Sequence, residues 1–404
     1  MSRVTTIDIP QARNVSVLAI AQALFISVQS MSAATTPIAA HMLLGESEKA
    51  FATVPIFLVH FGIMATTIPA SLLMGFIGRR NGFSVGAMVG VTSGLVGCAA
   101  LYQKSFWLLC LSAMLQGAQA AFCWYFRLAA ADTADPQRRA NAISLVLAGG
   151  VLAGILGPQT AKWTADWLAP ATFAGVYLAM AAFSLVMLGL VQALSIPNPN
   201  PQLSTTRGRP LRVIVRQPAY RVALVSSVFG YAVMMLTMAA TPLAMLACGY
   251  GFSESSTVIQ AHFIGMFLPS FFTGYLITRL GVLPIIAAGG LAASACALIN
   301  LSGTAFANFF IANVLVGVGW NFAYIGGSTL LTTTYTVAER AKVQASHDFT
   351  VYAATATAAA VSGVLHANLG WTVLNFTALP LMGAVTTAAI WLLLRQRRTA
   401  PGSA

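Results

Sequence analysis

Long apolar runs separated by short polar breaks cover almost the whole chain. Runs long enough to cross a bilayer as helices fall at 14–40, 52–78, 83–103, 106–131, 141–161 and 171–194. After a polar interval, six more follow at 220–247, 255–278, 283–302, 305–331, 343–366 and 372–394. None of these runs shows the strict alternation of a half-buried strand, so the pattern predicts an all-α membrane protein with twelve transmembrane helices, six and six. The polar interval at 195–218 holds Pro197, Pro199, Pro201, Pro210, four arginines and no acidic residue, and is expected to be a linker. The predicted organisation is therefore a tail at 1–13, a six-helix bundle at 14–194, the linker, a second bundle at 219–394 and a tail at 395–404.

Composition strengthens this reading. Charged residues make up 7% of the 404, apolar residues 58%, and the mean hydropathy is +0.79. So few charges are too few to cover a water-soluble surface. No short apolar segment followed by a small-residue cleavage site opens the chain, so no removable signal peptide is expected. The five cysteines (Cys98, Cys110, Cys123, Cys248 and Cys296) form no CxxC and no disulfide framework.

The net charge of +12 has a topological explanation. With the N-terminus inside, the outer side carries only Lys49, Lys104 and Lys162, and Arg127 falls within the fourth run. The remaining Lys and Arg lie in inner segments, which predicts that both termini face the cytoplasm. Basic residues gathered with interleaved aromatics, as a nucleic-acid partner would want, are not seen.

The halves echo each other. Gly75, Arg79, Arg80 and Gly82 close the second run, and Gly274, Arg279 and Gly281 close the eighth, about 200 positions further on. His60 and Met64 are likewise echoed by His262 and Met266, and Arg139-Ala140 by Arg340-Ala341. Matches at nearly one offset imply a duplicated half and a pseudo-symmetric pair of bundles.

On these residues the chain resembles the major facilitator superfamily over nearly all of its length. The Gly75–Gly82 loop is similar to that family's Gly-x-x-x-Asp-Arg-x-Gly motif, but Arg79 and Thr278 stand where it has Asp, so its cytoplasmic charge relay is altered here. Gln116-Gly117 matches the tail of another family motif whose Arg position is Ala113. Gly157-Pro158 matches the antiporter motif in part.

Candidate chemistry lies in soft donors. No acidic residue falls near the middle of a run, so a proton-loading carboxylate within the membrane is not evident. Met234 and Met238 lie four apart in the seventh run, on one helix face; His262 and Met266 repeat that spacing in the eighth, and His60 and Met64 in the second. Thioether and imidazole suit Cu(I), and Cys248 with Met245 at the outer end of the seventh run would be first contacts. Against this, methionines at helical spacing commonly pack, and an embedded His commonly bonds a neighbouring helix. Arg127, near the inner end of its run, either snorkels or holds an anionic group.

The Met234/Met238 and His262/Met266 pairs also resemble the copper-importing CcoA branch of the superfamily, which includes riboflavin transporters as well. The resemblance implies an inner-membrane protein of bacteria that imports copper by alternating access for haem–copper oxidase assembly. It implies metal binding by those four residues, with a cysteine at Cys248. No catalysis and no resident cofactor are expected; copper would be the cargo, and the protein a monomer. Ligand chemistry favours copper over the alternative, a riboflavin-like or other organic solute, proton-coupled in one version, for which Trp124, Tyr125, Trp320 and Tyr324 would stack a planar ring.

Overall fold

A computed structural model describes residues 9–133, 139–196 and 208–399. Every element in them is helical. The chain divides into two compact units, residues 1–35 with 61–201 and residues 36–60 with 202–404. Among the described residues, ten helical stretches are long and apolar enough to cross a membrane by length and composition.

The first half of the chain runs through α1 (Ile9–Leu43), α2 (Val54–Ile77), α3 (Arg79–Tyr102), α4 (Phe106–Cys123), α5 (Phe126–Thr133), α6 (Arg139–Thr164) and α7 (Ala174–Val191). A short 3-10 turn at Glu46–Phe51 precedes α2. The predicted run at 106–131 is interrupted: α4 stops at Cys123, a turn carries Trp124 and Tyr125, and α5 resumes at Phe126. Within the first unit, α3 packs on both α4 and α7. Reciprocal bonds from Ser93 Oγ to the Ser112 carbonyl (2.7 Å) and from Ser112 Oγ to the Ser93 carbonyl (2.8 Å) hold α3 to α4.

The second half contains α8 (Leu211–Ile214), α9 (Pro218–Ala247), α10 (Phe252–Phe267), α11 (Ser270–Leu280), α12 (Val282–Ser302), α13 (Phe306–Trp320), α14 (Gly326–Thr332) and α15 (Arg340–Thr399). The 60 residues of α15 break at Gly370, whose φ is 80°, so the run contains two helical stretches. The linker's last part is not free coil. Ile214 of α8 is buried in the core formed by α9, α12 and α15, and residues 197–207 lie outside the described segments.

Three irregularities fall inside predicted spans of this half. Pro242 within α9 lacks the N–H that the Met238 carbonyl would otherwise accept from. Pro269 separates α10 from α11. The run 305–331 passes through a π-helical turn, Asn321–Ile325, between α13 and α14; such turns concentrate at functional sites. Asn321 links two of these defects. Its amide nitrogen donates to the Met266 carbonyl (2.7 Å) and to Ser270 Oγ (2.7 Å), and its oxygen accepts from Thr273 Oγ1 (2.7 Å). A backbone irregularity in a membrane span persists only when side chains satisfy the freed groups. Packing of α10 on α13 is close: a Cβ on Gly317 would sit 2.6 Å from the His262 carbonyl oxygen.

Candidate functional site

The α10–α13 contact places His262 against Asn313. His262 Nδ1 lies 3.1 Å from the Asn313 backbone oxygen. A carbonyl only accepts, so in the neutral ring Nδ1 carries the proton and Nε2 presents a lone pair. That nitrogen has no hydrogen-bond partner, although His262 is 0% exposed. Asn313, also 0% exposed, donates from Nδ2 to the Phe309 carbonyl (3.0 Å) and to Thr241 Oγ1 (3.3 Å). Its Oδ1 is unpartnered. Two turns along α13, Trp320 is 7% exposed and its Nε1 is unpartnered too. Each unmet buried group costs about 1–3 kcal/mol, so these three, with Ser255 Oγ as a fourth on the same two helices, need an account.

Aromatic rings surround Trp320. Its indole stacks on Tyr324 with centroids 5.2 Å apart and planes at 17°. Tyr231 of α9 meets Trp320 edge-on at 5.5 Å and Tyr324 at 5.3 Å, and Tyr352 of α15 and His60 lie 6.3 and 6.4 Å from Tyr231. A line of rings connects this group to the histidine: His262 to Phe263 at 5.8 Å, Phe263 stacked on Phe267 at 6.4 Å, and Phe267 to Trp320 at 6.4 Å. Trp320 and Tyr324 are four residues apart, so one helix face presents both ring faces where α13 passes into the π turn.

Met234, Met238, Met245 and Met266 are all buried in the second unit, as is His262. Met234 and Met238 follow each other on successive turns of α9, and Met266 follows His262 on α10. Cys248, just past α9, is exposed. His60 is buried, with Nδ1 3.0 Å from the carbonyl of Ile56 in its own helix; it falls in the second unit and the half-buried Met64 in the first. Among the described residues, no three His, Cys, Asp or Glu side chains gather as a metal would require.

The paired loops need correction. The sequence echo aligns Arg80 with Arg279 and Gly82 with Gly281, but the structure places these residues differently. The interhelical glycines are Gly78 (φ 83°), between α2 and α3, and Gly281 (φ 90°), between α11 and α12. Arg79, Arg80 and Gly82 therefore open α3, whereas Arg279 sits in the last turn of α11 and donates to the Tyr275 hydroxyl (3.0 Å). Gly75 lies in the last turn of α2, and Gly274 lies inside α11. A positive-φ glycine marks a structural turn, while a Gly–Arg–Gly spacing does not say on which side of that turn the Arg falls. Arg79 pairs with Asp132 at 2.5 Å, so the residue standing in the motif's Asp position forms an ion pair of its own. Arg127 is exposed on α5. Trp124 meets Phe25 edge-on at 5.2 Å, and Gly157, against Ser27 and Ser30 of α1, is a close-packing position of α6.

Asn313, Asn321, Tyr231 and Tyr352 were not singled out from the sequence. The available signal was Asn313 and Asn321 in the interior of the mainly apolar tenth run, since polar residues inside a span are costly and carry a function or a bond.

Comparison with known proteins fits this architecture. A family model described as Major Facilitator Superfamily matches residues 17–299 and 222–404. The riboflavin transporter RfnT of Brucella anthropi is 36% identical over 385 residues, covering 94% of this chain and 95% of that protein. Two uncharacterised MFS-type transporters of Bacillus subtilis, YddS and YdeG, are each 27% identical, over 84% and 83% of this chain and 82% and 81% of their own. None of these names supports copper as a cargo.

Proposed function

The chain belongs to the Major Facilitator Superfamily, and from that premise we propose that it imports a planar organic solute of the riboflavin kind. The observation that carries the reading is the stacked Trp320–Tyr324 pair at the π turn, with Tyr231 and Tyr352 around it. Ring faces offered on one helix face match a flat conjugated cargo, and RfnT is similar along nearly the full length. In this reading the bilayer is crossed twelve times, with the long α15 run divided at Gly370 and the 26-residue α6 added to the ten stretches. The expected bundles are 14–194 and 219–394, both termini are cytoplasmic as the basic residues require, and the site is the inner membrane of a bacterium. Transport proceeds by alternating access.

One observation favours a second reading, copper import. His262 Nε2 is buried and unpartnered while Nδ1 is fixed by a carbonyl, the arrangement of an imidazole ligand held by its other nitrogen. Buried Met234, Met238 and Met266 in the same unit are soft donors suited to Cu(I). Labelled riboflavin and radioactive copper uptake, measured in the same importer-deficient cells, separates the two. Riboflavin accumulation that survives copper chelation supports the leading reading. Copper accumulation lost in Met234→Ala and His262→Ala, without riboflavin uptake, would transfer the cargo to the second.

A further inference from the structure

Four buried side-chain polar atoms without partners lie on α10 and α13; apart from Ser255 Oγ at the start of α10, a hydroxyl that can play either role, they are of two kinds. His262 Nε2 and Asn313 Oδ1 are acceptors; Trp320 Nε1 is a donor. All three residues are more than nine-tenths buried. Asn313 and Trp320 are seven apart on α13 and therefore share a face, and His262 is fastened to the Asn313 carbonyl. The line of rings through Phe263 and Phe267 joins the histidine to the indole. The neighbouring asparagine, Asn321, has both ends of its amide occupied.

Resting on the reading of a planar organic cargo, we infer that this strip recognises an amide or imide edge, an N–H beside a carbonyl, on a heteroaromatic ring. Asn313 Oδ1 and His262 Nε2 accept from the ring N–H, and Trp320 Nε1 donates to the adjacent carbonyl while its face stacks on the ring system. The substrate class is thereby narrowed from flat aromatic compounds to pteridine- and flavin-like heterocycles carrying a lactam or imide. Hydrocarbon rings and N-alkylated analogues leave the buried groups unmet and are excluded.

The test uses the full-length protein in liposomes, with tritiated riboflavin as the transported probe and unlabelled riboflavin or N3-methylriboflavin as competitor. Wild type is expected to discriminate against the methylated compound by about 100-fold, because a buried acceptor is left facing a methyl group. Asn313→Ser and His262→Ala are expected to reduce that discrimination to about threefold or less. Trp320→Phe, which keeps a stacking ring, is expected to lower riboflavin uptake by about tenfold. Riboflavin uptake without discrimination in wild type overturns the imide inference and leaves the cargo reading standing, as does full discrimination retained in both Asn313→Ser and His262→Ala. No riboflavin uptake by folded protein, with Cu(I) uptake in the same vesicles, overturns both.

Discussion

The two units treat their buried polar groups differently. In the first, buried amides and hydroxyls are bonded to one another: Gln116 Nε2 donates to Gln29 (2.6 Å), Ser32 Oγ to Gln116 (2.8 Å) and Gln119 Nε2 to Ser184 (3.0 Å). Its unmet side-chain atoms within the spans (Thr35 Oγ1, Gln119 Oε1 and Trp124 Nε1) are spread over α1, α4 and the turn after α4. The second unit also bonds amides, Asn300 Nδ2 to Asn375 (2.9 Å) and Asn321 to its three partners, but it adds a cluster of rings, and several of its unmet atoms fall on one packed helix pair, α10 and α13, with others on α9, α12 and α15. In the proposed reading, the chemistry that receives a cargo lies in the second unit. A polar group satisfied within its own unit rigidifies it; one left open is available to something that arrives.

The largest expected effect comes from the two tryptophans. Trp320→Ala removes the stacked face and a buried ring, costing about 3–5 kcal/mol, and riboflavin uptake should be abolished. Trp124→Ala, which loses an edge contact with Phe25, should retain most of its uptake. Uptake assays alongside thermal inactivation of the purified variants would check both. Equal loss in the two would erase the contrast between the units.

Next come the histidines at repeat-related positions. His262→Ala should lower uptake about tenfold, the value of one lost hydrogen bond to cargo. His60→Ala should stay within about threefold, because both histidines commit Nδ1 to a carbonyl but it is His262 whose Nε2 is buried and unmet. A comparable loss in both would mean that the echo is functional in each copy.

How much of this was legible in the chain follows from the range of each interaction. Apolar runs gave the spans because each depends only on local composition. The breaks in them needed more: Leu268-Pro269 was visible as a breaker, but the turn at Trp124-Tyr125 and the π turn at Asn321 carry no Pro or Gly at their centres. The Met and His spacings were legible as helix faces. What those faces meet was not, since His262 bonds Asn313 on a helix 51 residues away and Arg209 reaches Glu339 across 130. The Gly–Arg–Gly echo misled because identity of spacing does not fix which residue takes the positive φ.

Ion pairs at the helix ends extend the comparison, beginning with the second unit's. Glu339 has a side chain only 2% exposed and is gripped by Arg209 at both oxygens: Nε to Oε1 and Nη2 to Oε2, each 2.8 Å. The backbone N–H of Arg209 and that of Thr336 add bonds at 2.7 and 2.9 Å, and Lys342 Nζ donates to the Arg209 carbonyl. The guanidinium and these N–H groups hold the carboxyl well below the usual carboxylate range. A depressed folded value means that the clamp contributes fully above the ordinary carboxylate value of about 4.3. That contribution is lost as pH falls through the folded value. Thermal midpoints should therefore fall more steeply with acid in wild type than in Glu339→Gln, which should be the less stable protein at neutral pH. Parallel pH curves for the two proteins would mean that the clamp adds nothing.

The first unit's counterpart should give the smallest effect. Arg79 and Asp132 meet at 2.5 Å, but the Asp132 side chain is 54% exposed, and Arg79 Nη1 is buried without a partner. A pair so open to water is screened and worth about 0–1 kcal/mol. Asp132→Asn should thus shift the thermal midpoint little. Its consequence, if the altered motif gates transport, would appear in rate: uptake measured at saturating riboflavin should change while the half-saturating concentration stays constant, since Asp132 lies in the first unit and the cargo strip in the second. A change confined to half-saturation would instead tie Asp132 to cargo binding and dissolve the division of labour between the units.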